Sequence, residues 1–201
     1  MKILDLVQGS NEWKQVRRKY ATASDMPSIL GIKGAFSSRK RLLNEKLSGV
    51  DKPLSEYEVR IFARGHAVEA ELRRKAETEL GMSFEPVTIL SEEHGILASI
   101  DAINFEHGVI VETKNSRAAS KIIPATEFRV WEPYRVQVLT QMLVAQMGVG
   151  FVYLRDDVLE EDHLVPVNRD EVMFERIKKE AGAFVDELRA SEEKAKIVLA
   201  Q

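Results

Sequence analysis

The chain has 201 residues, 44% of them hydrophobic and 30% charged, which suits one domain with a sizeable core, since domains commonly run to about 100 to 200 residues. A formal charge of −3 supplies no global basic field for tight non-specific nucleic-acid binding, and the absence of cysteine excludes disulfides, thiolate zinc sites and cysteine-ligated iron–sulfur clusters. No run approaches the roughly 18 apolar residues of a membrane span, and MKILDLVQGS lacks the apolar core and cleavage site of a secretory signal, so a cytoplasmic address is expected.

In chain order, Ser10 is placed to cap an amphipathic helix over 11–19, and the stretch from Thr22 to Ser24 to cap a second that ends near Gly31. A third helix is expected after Ser38, stopping before Gly49. From Ser55 to Leu80 runs the longest helix candidate, opened by a Ser55/Glu58 capping box and closed by Gly81, with a kink or break expected near Gly65 and His66. Short Val- and Ile-rich runs at 84–90, 95–101 and 108–114 then predict a meander of three strands. Apolar residues at helical spacing predict a helix over 131–147, followed by strands at 149–155 and 163–167. A final helix over 168–197 presents Val172, Phe174, Ile177, Phe184, Val185 and Leu188 as its apolar side. No linker or repeat divides the chain, so a single domain over 1–201 is expected. Its class is α+β, or mixed α/β, with a central mixed sheet flanked by helices.

Three basic groups, Arg17 to Lys19, Arg39 to Arg41 and Arg73 to Lys75, are read as solvated helix faces, and Trp13 and Trp131 as packing anchors. The four histidines share no short spacing, so a histidine metal site is not expected.

The informative charges lie in GILASIDAINFEHGVIVETKNS, residues 95–116. Alternation along a strand puts Ile110, Glu112 and Lys114 on one face. A turn centred on Glu106 and His107 sets Asp101 directly across from Glu112. Two facing carboxylates repel, and a divalent cation would offset that repulsion: Mg²⁺ and Mn²⁺ prefer oxygen ligands and often use only one or two carboxylates plus water. A bland reading also fits, in which Asp101 ends its strand and Glu112 pairs with Lys114 on a wet face.

An acid followed about ten residues later by Glu-x-Lys resembles the core of the PD-(D/E)xK nuclease superfamily. QGSNEWKQVRRKYATASD at 8–25, RGHAVE at 64–69, ASID at 98–101 and YRVQVLTQM at 134–142 are similar, in that order, to one branch of it, the phage lambda exonuclease and YqaJ-type viral recombinase family. Where that family often has Cys-Pro after the lysine this chain has Asn115 and Ser116, and Ile100 stands in place of the common proline before the aspartate.

The resemblance implies that Asp101 and Glu112 are metal-binding carboxylates with the Thr113 carbonyl as a backbone ligand. It implies further that Lys114 orients the attacking water, that Glu69 holds a metal or its water from across the cleft, and that Gln137 orders the site. Arg17, Ser24 and Ser99 would form a pocket for a 5′-terminal phosphate. The implied activity is a Mg²⁺-dependent exonuclease, with Mn²⁺ as a possible substitute, that degrades one strand of linear double-stranded DNA from its 5′ end. The 3′ single-stranded tails would serve recombination by a single-strand annealing protein. A ring-shaped homotrimer around the DNA is implied as well. Two alternatives stand beside it: an endonuclease or repair nuclease of the same superfamily, and a non-catalytic DNA-end-binding subunit.

Overall fold

A computed structural model describes residues 1–49, 56–117 and 130–199. The elements are β1 (Lys2–Leu4), α1 (Asn11–Lys19), β2 (Ala21–Thr22), α2 (Met26–Ile29), α3 (Arg39–Ser48), α4 (Glu56–Leu80), β3 (Glu85–Ser91), β4 (Ile96–Asn104), β5 (Val109–Ser116), α5 (Glu132–Ala145), β6 (Val149–Asp156), β7 (Glu161–Val167) and α6 (Glu171–Leu199). Local chemistry sets several boundaries. The Ser10 hydroxyl accepts a hydrogen bond from the Trp13 amide at 3.1 Å and so caps α1, while Gly49, at φ 63°, ends α3 in a left-handed conformation that a side chain would resist.

Among the described residues the strands form one sheet in the order β1-β3-β4-β5-β6-β7, with β2 attached to β4. The β5/β6 and β2/β4 pairs are parallel and the others antiparallel, so the sheet is mixed, as expected. A parallel pair needs a crossover, and α5 lies within it. On one face Ile110, Val152 and Leu154 pack with Val138 and Met142 of α5 and with Phe174 and Ile177 of α6. On the other, Val109, Val111 and Tyr153 pack with Leu72 and Ala76 of α4. Helix α5 approaches β6 closely because Gly150 has no side chain: a Cβ there would lie 2.6 Å from Val138 Cγ1 and 2.8 Å from Met142 Sδ.

Three expectations are corrected. Helix α2 spans four residues, and the residue at its cap is Asp25, with no side-chain cap bond, rather than one of the Thr22 to Ser24 group. Helix α4 runs unbroken through Gly65, because one glycine costs only about 1 kcal/mol in a helix anchored elsewhere by Leu72 and Ala76. Val172 is 83% exposed at the start of α6 and does not join its apolar side, whereas Ala181 is fully buried there. The short strands β1 and β2 had no sequence reading. The Ser55 cap lies outside the described residues.

Candidate active site

The site begins with a flaw in β4. Glu85 pairs with Ile103 but Val87 with Ile100, so Asp101 and Ala102 together face the single residue Pro86. This is a β-bulge, and it sits opposite a proline, which has no amide hydrogen to leave unpaired. Bulges re-aim side chains. On its other edge β4 is paired at both ends but not in the middle: β2 holds Ile96 and Leu97, and β5 holds Ala102 to Asn104. The pairs Ala102↔Val111 and Ile103↔Ile110 continue the count to Asp101 opposite Glu112, but the ladder stops one step short and the strands fork.

Side chains satisfy the backbone groups that the fork leaves open. The Asp101 Oδ2 atom accepts from the Thr113 amide at 2.8 Å and from its hydroxyl at 2.9 Å. The Ser99 carbonyl accepts from Gln141 Nε2 at 3.1 Å, and the Asp101 carbonyl from Arg73 at 3.0 Å. Unpaired buried backbone polar groups are costly, so these bonds stabilise an open fork.

Glu112 is 3% exposed at the base of the fork. Its Oε1 accepts from Gln137 Nε2 at 2.6 Å and from the Lys114 ammonium, and its Oε2 accepts from Gln141 Nε2. Burial and the facing Asp101 carboxylate push its pKa up to about 7, against the pull of Lys114 and Gln141. Asp101 is raised too: burial and the charge of Glu69 outweigh Lys114 and the Thr113 bonds. Burial works against the Lys114 ammonium, but Glu112 and Asp101 hold its pKa above the ordinary lysine value. Lys114 also lies 5.2 Å from the centre of the Tyr134 ring. Two buried carboxylates whose pKa values are both raised, beside one lysine ammonium, form a site short of positive charge. Their hard oxygen donors fit a divalent cation that keeps several waters.

Arg17, Ser24, Ser99, Asp101, Glu112 and Gln137 line one cleft of about 150 Å³. Within it Arg17 Nη2 donates to the Ser24 hydroxyl at 3.3 Å, and the Ser24 and Thr22 hydroxyls are 3.1 Å apart. Trp13 stands under the Arg17 guanidinium, 4.4 Å from carbon to ring centre, and its Nε1 donates to Ser99 at 3.0 Å. Trp13 was expected to be a packing anchor, but it is instead a half-buried wall of the cleft and joins neither core cluster. Trp131 does pack, edge-on to Phe36 and Tyr134.

Glu69 stands apart from this cleft, in a second groove of about 890 Å³ that also contains Arg73 and shares Gln8 with the first. Its charge reaches Asp101, but among the described residues no three His, Asp or Glu side chains gather as a metal cluster. Sequence reasoning missed Gln141. It lies four residues after Gln137 and so on the same face of α5, a spacing that could have found it. The basic groups are largely committed within the chain, Arg39 to Glu187, Arg41 to Glu45 and Lys75 to Asp162.

A family model described as a YqaJ-like viral recombinase domain matches residues 12–148. The fold is shared with crystal structures of LHK-Exo, an alkaline exonuclease from Laribacter hongkongensis, at TM-score 0.75 and 22% identity, covering 95% of this chain and 98% of that one. The LHK-Exo complex with dAMP aligns at TM-score 0.74 with the same identity and coverage. A phage-related exonuclease from Haemophilus somnus 129PT aligns at TM-score 0.61 and 12% identity, covering 86% and 96%. No curated protein matches the chain.

Proposed function

The chain belongs to the YqaJ-like viral recombinase family, and from that membership we propose that it is a Mg²⁺-dependent 5′-to-3′ exonuclease acting on linear double-stranded DNA. One observation carries the reading: the forked carboxylate pair and the Arg17, Ser24 and Ser99 donors line the same cleft. A scissile phosphate at the fork thus lies near a donor set suited to an anionic end. Arginine forks onto phosphate oxygens and hydroxyls add neutral donors.

In this mechanism Asp101, Glu112 and the Thr113 carbonyl would hold the cation, and Glu69, in the neighbouring groove, would reach it or a water bound to it. Mg²⁺, or Mn²⁺ in its place, would supply Lewis-acid stabilisation of the charge that develops on the phosphoryl and leaving oxygens. Lys114 remains an ammonium, as its raised pKa favours, so it orients water and balances charge rather than removing a proton. Gln137 fixes the Glu112 rotamer. The 3′ tails would feed a single-strand annealing protein. A homotrimeric ring would retain DNA topologically, which suits a chain with a net charge of −3.

The test uses end-labelled linear duplex, with or without 5′-phosphate, and a covalently closed circle, each with Mg²⁺ or Ca²⁺. Digestion of linear DNA alone, only with Mg²⁺ and faster from phosphorylated ends, is expected. Efficient cutting of circles would favour an endonuclease, and equal digestion by Asp101→Ala would remove Asp101 from the chemistry.

A further inference from the structure

Behind the arginine side of the cleft lies a buried ion pair that the mechanism above does not use. The Lys46 ammonium on α3 sits 2.9 Å from Asp25 Oδ2 and donates to the Arg17 carbonyl at 2.7 Å, with side-chain exposures of 7% for Lys46 and 13% for Asp25. Asp25 Oδ2 also accepts from the Thr22 amide at 3.2 Å, and Thr22 is in hydroxyl contact with Ser24. One ion pair thus joins the last turn of α1, the loop that carries Ser24, and α3.

Stability alone is a weak reason to keep such a pair. Desolvating two ions costs several kcal/mol, and apolar replacements of similar volume are often neutral or stabilising. What distinguishes this pair is the third charge. Burial would raise the pKa of Asp25, yet Lys46 and then Arg17 hold it below the ordinary carboxylate value, so the Arg17 guanidinium already feels this carboxylate. Arg17 nevertheless donates to Ser24, while the ion pair is made by Lys46.

Resting on the phosphate-pocket reading above, we infer that Lys46 is a positioning residue: by neutralising Asp25 and gripping the Arg17 carbonyl, it leaves the Arg17 guanidinium on Ser24 and free for a DNA 5′-phosphate. Without the Lys46 ammonium, the charge among the described residues already acting on Asp25 is Arg17. The guanidinium would then turn from the cleft to the carboxylate, and the pocket would lose its charge without losing a single lining residue.

The competition is tested by the ratio of kcat/KM on 5′-phosphorylated and 5′-hydroxyl duplexes, with Ca²⁺-supported binding of the same duplexes followed by fluorescence anisotropy. Lys46→Met should lower the ratio about tenfold or more, the scale of a charge-assisted bond, chiefly through KM for phosphorylated ends. Adding Asp25→Asn should restore most of it, because no carboxylate then competes for Arg17; loss of a merely structural strut would not be repaired by removing its partner. A Lys46→Met variant with the wild-type ratio, or a double variant no better than the single, overturns the inference. Should Lys46→Met fail to fold by circular dichroism, Lys46→Gln carries the same comparison. If wild type shows no phosphate preference, the pocket reading itself fails. If wild type prefers phosphate, Arg17→Ala abolishes that preference and only the Lys46 comparison fails, the pocket stands and this inference falls.

Discussion

Asp101→Asn separates what the fork costs in stability from what it contributes to chemistry. Asn keeps the shape of Asp101 and a carbonyl oxygen to accept the Thr113 amide and hydroxyl bonds, but removes the charge that faces Glu112. A Glu112 carboxyl held at about 7 instead of 4.5 means that ionising it in the fold costs about 3 kcal/mol. Because the folded pKa is raised, the favourable contribution is complete below pH 4.5 and is lost as pH rises through about 7. Burial is the larger cause and Asp101 the second, so neutralising Asp101 should return about 1 kcal/mol at alkaline pH, or roughly 2 to 4 °C for a domain of this size. Thermal melts in EDTA should therefore find the variant more stable than wild type near pH 8 and nearly equal near pH 5, while its nuclease activity is lost. Mg²⁺ at a hundredfold excess over Kd should raise wild-type stability by about 2.7 kcal/mol and the variant's far less. A variant no more stable than wild type at pH 8 without metal would refute the electrostatic account of the fork.

Gly150→Ala should destabilise the protein by about 1 to 3 kcal/mol in urea titrations, since its Cβ must displace Val138 and Met142. Gln141→Leu leaves the Ser99 carbonyl and Glu112 Oε2 short of a donor. It should cost about 1 to 3 kcal/mol and, by removing a bond that lowers the Glu112 pKa, move the acid limb of the pH–rate profile upward. Ser10→Ala should cost about 1 kcal/mol through the α1 cap, measurable by thermal melt.

The hairpin was legible because its turn fixes the count: once residues 105–108 turn, Ala102 pairs with Val111 and the count points Asp101 at Glu112. The helices with polar caps and glycine stops were legible for the same local reason. What alternation could not reveal is that the ladder stops at Ala102, since a bulge depends on the partner strand, here Pro86. β1 and β2 are too short for a periodic signal and exist because β3 and β4 offer them an edge. Lys46 and Asp25 carried no reading of their own in the sequence, because nothing local announces that α3 folds back over the last turn of α1. The resemblance set Glu69 across the cleft, whereas the structure has its charge reach Asp101 from the neighbouring groove, a matter of side-chain geometry that sequence order does not encode.

The Thr113 amide has a consequence of its own. It is a backbone proton in the middle of a sheet whose acceptor is not another strand but the carboxylate proposed to bind the cation. Its resonance in a nitrogen–proton spectrum, and its rate of exchange with deuterated solvent, should respond when a cation draws density from Asp101, while neighbouring amides zipped to β6 stay still. A nucleus in the main chain thus becomes a native gauge of site occupancy, readable without DNA and without turnover.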